Sequence, residues 1–169
     1  MNVGADNNHT QLTIDFSEYV DGLYSYAVVL SRNRTEAEDL VQETCLRALR
    51  AMQRLRPESN IKSWLFTILR HVWLNQLRQS WTAGEGVDLD PHKNGAAKDA
   101  HATYVSTVER EQVCNAIQQL PLEFREIILL REYEEFSYEE IATLLNCPPA
   151  TVMSRLARAR SKLRDSLAT

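Results

Sequence analysis

The stretch from Thr82 to Thr103 most limits the folds open to this chain. It holds Gly84, Gly86 and Gly95, three of the five glycines, together with Pro91, Asp88, Asp90, Asn94 and Asp99. No sustained apolar period runs through it, so it reads as a flexible linker. The flanks it leaves, about 70 and 65 residues, each lie near the lower limit at which a core can hold a domain by itself. The expected organisation is a disordered tail over 1–11, a helical domain over 12–81, a linker over 82–104 and a second helical domain over 105–169.

Both flanks carry helical periodicity. Phe16, Val20, Leu23, Tyr24 and Ala27 suggest a helix over Phe16–Leu30. Thr35-Glu36-Ala37-Glu38 has the form of a capping box. Behind it Ala37, Leu40, Val41, Cys45, Ala48, Leu49 and Met52 recur at three and four, giving one apolar face. Pro57 breaks that run. Ile61, Trp64, Leu65, Ile68, Leu69, Val72 and Leu77 then define another amphipathic helix. Beyond the linker, a helix over Val105–Leu120 ends near Pro121 and a further one covers Leu122–Tyr133. No span alternates with period two, so the class expected is all-α, two small helical domains with a helix-turn-helix in the second.

That motif lies in Ser137–Arg158. Ser137-Tyr138-Glu139-Glu140 is a capping box opening a short helix with Ile141, Ala142, Leu144 and Leu145. Asn146 tolerates the left-handed conformation of a tight turn, and the following prolines suit the first turn of a helix over Pro149–Leu167. Ala142 is small where two helices must approach, and Val152, Leu156 and Leu163 face back to the core. Thr151, Ser154, Arg155, Arg158, Arg160 and Lys162 are read as the outer face. A helix in the major groove reads base edges near its N-terminus and holds phosphate with cations beyond.

The overall charge points the other way. A net −4 and a pI near 5.6 argue against a nucleic-acid binder, until the charge is resolved along the chain. Residues 1–43 carry −6, residues 44–80 carry +6, residues 81–140 carry −8 and residues 149–169 carry +4. The two basic blocks coincide with the helix after Pro57 and its approach, and with the last helix. In the first of them Arg47, Arg50, Arg54, Arg56, Lys62, Arg70 and Arg78 are interleaved with Trp64, Phe66, Trp73 and Trp81. Aromatics beside cations can stack unpaired bases and hold their backbone; at helical spacing, Trp64 and Trp73 equally suit a core.

Other classes are excluded by what is missing. No run of 18 apolar residues exists, and the start has neither a basic region nor an apolar core, so neither a membrane span nor a secretory signal is expected. Cys45, Cys114 and Cys147 are far apart, without C-x-x-C or zinc spacing, and the four histidines are scattered. Thiols kept as small apolar side chains in a reducing cytosol are the expectation. No nucleophile–base pair, phosphate-binding glycine loop or metal set is present, so no enzyme, cofactor or metal is expected.

Three segments in order carry a family resemblance: AEDLVQETCLRAL (Ala37–Leu49), IKSWLFTILRHVWLNQLR (Ile61–Arg78) and LPLEFREIILLREYEEFSYEEIATLLNCPPATVMSRLARARSKLR (Leu120–Arg164). Over about Phe16–Leu167 the chain resembles the extracytoplasmic-function sigma factors of bacterial RNA polymerase. The resemblance implies two helical domains and a linker. It implies that Asp39, Gln42 and Glu43 dock on the clamp coiled coil of the polymerase largest subunit, and that the flap of core polymerase is contacted as well. It assigns the −10 promoter element, melted with a base flipped out, to the loop and helix holding Ser59, Asn60, Lys62, Trp64, Arg70, His71 and Arg78. Thr151, Ser154, Arg155, Arg158 and Arg160 would read the −35 element as duplex, and Asp88 and Asp90 would mimic nucleic-acid charge near the RNA exit channel. An anti-sigma factor, a stress or envelope response and a cytoplasmic location are implied with it.

Two places depart from the family pattern. His71 and Asn75 stand where members usually carry Asn and Asp, and Pro149-Ala150 replaces an acidic residue and Gly. The sequence also admits two rivals: a helix-turn-helix regulator acting without polymerase, and a decoy that sequesters an anti-sigma factor. The cations of the last helix speak against the decoy, which has no use for Arg155 and Arg158.

Overall fold

A computed structural model describes residues 14–84 and 107–168. Seven α-helices run through them: α1 (Ser17–Ser31), α2 (Arg34–Ala51), α3 (Ile61–Thr82), α4 (Thr107–Gln119), α5 (Leu122–Ile128), α6 (Tyr138–Leu145) and α7 (Pro149–Leu167). No strand occurs among the described residues, as the missing period-two pattern implies. The expected tail, Asp88 and Asp90 lie outside the described residues, as does most of the expected linker.

The first half is a three-helix arrangement in which α1, α2 and α3 pack on one another. The start of α2 differs from expectation. Asn33, not Thr35, is the N-cap: its Oδ1 accepts from the backbone N–H of Thr35 at 2.9 Å and of Glu36 at 3.2 Å. The helix therefore begins at Arg34, and Thr35 stands already inside its first turn. Asn makes as good a cap as Thr and comes two residues sooner, so the Thr35 box never forms. Asn60 caps α3 likewise, accepting from the Ser63 N–H at 3.1 Å.

The second half packs α4, α5 and α6 around α7. The expected helix over Leu122–Tyr133 is interrupted: α5 stops at Ile128 and Leu129–Tyr133 widens into a π-turn. That insertion lets the chain leave the helix through Glu135 at φ 57° and sets up the α6 cap. At Ser137 the capping box forms in full, Ser137 Oγ accepting from the Glu140 N–H at 3.1 Å and Glu140 Oε2 accepting from the Ser137 N–H at 2.8 Å. Asn146 takes the left-handed conformation (φ 54°, ψ 50°) and Pro149 opens α7. The helix-turn-helix follows its local signals closely.

The tether suggests two bodies, yet the buried residues form one continuous cluster. α1 packs on α5 and α3 on α6. At the junction Phe66 of α3 stacks on Tyr26 of α1, ring centroids 5.3 Å apart, and meets Phe136 of the second half edge-on at 5.1 Å. Each half is small for an independent core, and burying these rings against one another enlarges it.

Candidate nucleic-acid and partner interface

The last helix separates its faces cleanly. Val152, Leu156 and Ala159 are buried and anchor α7. Ser154, Arg158 and Lys162 are exposed, with Thr151 and Arg155 half-buried beside them; at 3.6 residues per turn these five positions share one side. Arg158 donates from Nη2 to Ser154 Oγ at 3.3 Å and lies 6.0 Å from the Phe124 ring centroid, so its fork lies back along the helix while the residue stays exposed. Arg160 differs. It falls on the opposite side of α7 and donates from Nε to Glu132 Oε1 at 2.9 Å. The outer face read from the sequence is therefore narrower by one cation: the helical turn carries position 160 about half a revolution away from 151.

α3 divides its candidate residues into two strips. Trp64, His71 and Arg78 recur every seven residues on one; His71 and Arg78 are exposed and Trp64 is half-buried. Asn60, Lys62 and Arg70 are instead engaged by the second half. Asn60 Nδ2 donates to Glu140 Oε1 at 3.0 Å. Lys62 Nζ reaches both Glu134 Oε2 at 2.9 Å and the Glu134 carbonyl at 2.8 Å, and stands 5.1 Å from the Phe136 centroid. Arg70 Nε donates to Glu126 Oε1 at 2.8 Å. Ser59 is half-buried, its N–H donating to the Arg56 carbonyl. Of the interleaved aromatics, Phe66 and Trp73 are buried and belong to the core, while Trp81 is 69% exposed.

The Glu126 carboxylate is buried, and Oε1 also accepts the Tyr26 hydroxyl proton. Burial first, then the adjacent Glu126 charge, push the Tyr26 phenol well above its ordinary value of 10.0, against an opposing pull from Arg70. For Arg70, burial works downward, but the Glu126 charge and hydrogen bond and the Tyr26 phenol outweigh it and raise the guanidinium. Next to this trio, Arg125 is a buried cation held by carbonyl oxygens alone. It donates to Leu120 at 3.1 Å and Gln118 at 3.3 Å in its own half, and to Val29 of α1 at 3.3 Å.

On α2, Asp39 and Gln42 are exposed; Glu43 is half-buried and pairs with Arg47 at 2.7 Å. That pair lies at the surface and is worth only a few tenths of a kcal/mol, so a partner can replace it. Leu49, expected in the core, is 54% exposed, and Leu46 is 49% exposed. The buried line of α2 runs instead through Ala37, Leu40, Val41, Thr44 and Ala48. Thr44 takes a core place because its hydroxyl donates to the Leu40 carbonyl at 2.7 Å. Leu46 thus sits between Asp39, Gln42, Glu43 and Arg50 on one outer strip, an apolar centre with a charged rim. Counting four-residue steps from Ala37 through Val41 and Cys45 to Leu49 conceals this; counting from Leu40 through Thr44 to Ala48 shows it.

The three cysteines are free thiols. Cys114 is exposed on α4, contrary to its expected place as an apolar filler, because α4 buries only Ala116 while Val113 and Ile117 are half-buried. Burial raises the Cys45 thiol. No group of three or more His, Cys, Asp or Glu that could hold a metal ion occurs among the described residues, and no helix there is long and apolar enough to cross a membrane.

Comparison with known proteins gives this geometry a context. Residues 16–82 match sigma-70 region 2, and residues 110–163 match sigma-70 region 4. The chain is 37% identical over 149 residues to the ECF RNA polymerase sigma factor EcfG of Rhodopseudomonas palustris, covering 88% of this chain and 81% of the relative. It is 33% identical to RNA polymerase sigma-H factor of Pseudomonas aeruginosa, over 78% of this chain and 73% of the relative. Among solved structures, the sigma factor RpoE in complex with the anti-sigma factor NepR from Bartonella quintana superposes with a TM-score of 0.75 at 30% identity, over 91% of this chain and 94% of that one. Two matched regions in order, with relatives aligned across most of both chains, leave one assignment: the chain belongs to the extracytoplasmic-function sigma factors, subunits that direct bacterial RNA polymerase to its promoters.

Proposed function

We propose that residues 12–81 serve core polymerase and the −10 element, and residues 105–169 the −35 element, joined by the 82–104 segment. The observation that carries this is the one-sided display on α7. Thr151, Ser154, Arg155, Arg158 and Lys162 share a side above the buried Val152–Leu156–Ala159 anchor, immediately after the Asn146 turn. Such a helix places short polar side chains toward base edges and guanidinium forks toward guanine or phosphate. Arg160 acts as a brace to Glu132 rather than as a reader.

Asp39, Gln42 and Glu43 dock the largest subunit's clamp with Leu46 filling the apolar centre of the same strip, and the second domain meets the flap. Trp64, His71 and Arg78 face the melted strand, the half-buried Trp64 offering aromatic surface and Arg78 a phosphate contact. Asn60, Lys62 and Arg70 join them once released, and Ser59 borders them in the preceding loop. The subunit performs no covalent chemistry of its own: it binds, positions and opens, within the cytoplasm where polymerase works. The NepR complex of the Bartonella relative supports control of this chain by an anti-sigma factor.

Run-off transcription with purified core polymerase over genomic promoter fragments tests this reading. Arg155→Ala with Arg158→Ala is expected to cut −35-dependent initiation at least tenfold, from about 1–3 kcal/mol per lost bidentate contact, with core binding unchanged. Asp39→Arg with Glu43→Arg is expected to release the core instead. Absence of any promoter-dependent transcript refutes the function, and unchanged core affinity in the second variant refutes the docking strip.

A further inference from the structure

We propose that the second half's own carboxylates latch this chain shut, standing in on the −10 face for the polar and phosphate groups of DNA. The inference rests on the assignment of α3 to the −10 element. Three of its residues, Asn60, Lys62 and Arg70, are each bonded by a glutamate of the 126–140 segment: Glu140, Glu134 and Glu126 respectively. These glutamates belong to the most acidic block of the chain, and the residues they meet lie in its most basic block. A carboxylate, like a phosphate, accepts charge-assisted hydrogen bonds from an ammonium or guanidinium.

The contact is built into both halves. A Cβ at Gly22 would stand 3.0 Å from both carboxylate oxygens of Glu134, so glycine on α1 leaves room for the carboxylate that reaches Lys62. Tyr26 is fully buried beneath Glu126, and Arg125 of the second half donates to the Val29 carbonyl of the first.

Closure also excludes promoter engagement on geometric grounds. The −10 and −35 elements lie 25 positions apart, which is roughly 85 Å of duplex at 3.4 Å per base pair. A globule of this length has a radius of gyration of only about 15 Å. In the closed chain α6, next to the −35-reading helix, touches Asn60 at the head of the −10 helix. A 23-residue segment such as 82–104 spans at most roughly 80 Å when extended, enough to carry the halves apart. Opening must therefore precede or accompany promoter binding, and it exchanges three intramolecular carboxylate contacts for contacts to DNA.

The test uses the full chain. Glu134→Lys opposes Lys62 with a like charge, and Gly22→Glu, from the other side, crowds and repels Glu134; circular dichroism checks that each stays helical. Small-angle scattering is expected to show a compact wild type and a radius of gyration larger by several ångströms in both variants. Lys62→Glu combined with Glu134→Lys is expected to restore the compact profile. With core polymerase, both single variants should bind more tightly and initiate more at limiting subunit, about tenfold if the open state is a tenth populated in the wild type, and equally at saturation. An already extended wild type, or two helical variants with unchanged scattering and core affinity, overturns the latch. Loss of promoter-dependent transcripts from wild type and variants alike counts against the sigma-factor assignment of α3 instead, and scattering still decides closure.

Discussion

The two helices proposed to read promoter DNA are held in opposite states. α7 exposes Ser154, Arg158 and Lys162, and the cation pointing away from them, Arg160, is tied to Glu132. α3 does the reverse: Lys62 and Arg70 are neutralised by Glu134 and Glu126, while Trp64, His71 and Arg78 remain on a separate strip. Both helices lie in basic blocks, +6 over 44–80 and +4 over 149–169, so the sign of the charge does not distinguish them. What distinguishes them is the neighbour. On α7, Arg158 bonds Ser154 of its own helix and lies over the Phe124 ring, whereas α3 packs on α6 and its Lys62 and Arg70 meet carboxylates. On the proposed assignment, the α7 cations are open to duplex as the chain stands, whereas only part of the α3 set is open to a single strand.

The strongest way to break this difference is to remove the ring on which the halves meet. Phe66→Ala deletes a fully buried side chain packed on Tyr26 and Phe136, at an expected cost of about 3–5 kcal/mol. Urea unfolding should show a single transition in the wild type and a much lower midpoint in the variant, with the α3 side newly accessible. Two resolved wild-type transitions would show that the halves fold separately and that the junction adds little.

Glu126→Gln is the next largest. It leaves Arg70 partly buried without a counter-charge and weakens the Tyr26 hydrogen bond, which should destabilise the fold by about 3 kcal/mol. Equilibrium denaturation at neutral pH measures it. The same change at an α7 site, Glu132→Gln beside Arg160, should cost under 1 kcal/mol because both partners are exposed. Equal losses at the two sites would erase the contrast between the helices.

A pH series sharpens it further. The folded Tyr26 phenol sits well above its unfolded value of 10.0, so its contribution is complete below pH 10. It declines as pH rises past 10, since only the unfolded chain then ionises readily. Denaturation midpoints should therefore fall as pH rises above 10, and Tyr26→Phe should flatten that fall while losing about 1 kcal/mol at neutral pH. The smallest effects come from the caps. Asn33→Ala and Ser137→Ala should each cost about 1 kcal/mol, and Thr35→Ala much less, since Thr35 caps nothing.

Much of the second half was legible because its signals are local. The Ser137 box, the Asn146 turn and the proline at the head of α7 each act within four residues and appear where the sequence puts them. The first half was less so. Asn33 and Thr35 both qualify as caps, and either apolar register of α2 looks plausible until α1 and α3 are packed against it. The π-turn over Leu129–Tyr133 leaves no period of its own, so the sequence there looks like plain helix. Family patterns carried the assignment of α3 to the −10 element, but they do not say which of its polar residues are free.

By itself the sequence determined the helices, the helix-turn-helix and the uneven charge along the chain, because capping, turn conformation and amphipathic spacing depend on neighbours a few residues away. Tertiary structure alone decided which charges meet. Glu126 joins Tyr26 across 100 residues and Arg70 across 56, and Glu134 joins Lys62 across 72. Coulombic pairing depends on separation in space and on burial, neither of which any local period encodes. The acidic and basic blocks announce that attraction is possible; the junction of α1, α3, α5 and α6 selects the side chains that answer it.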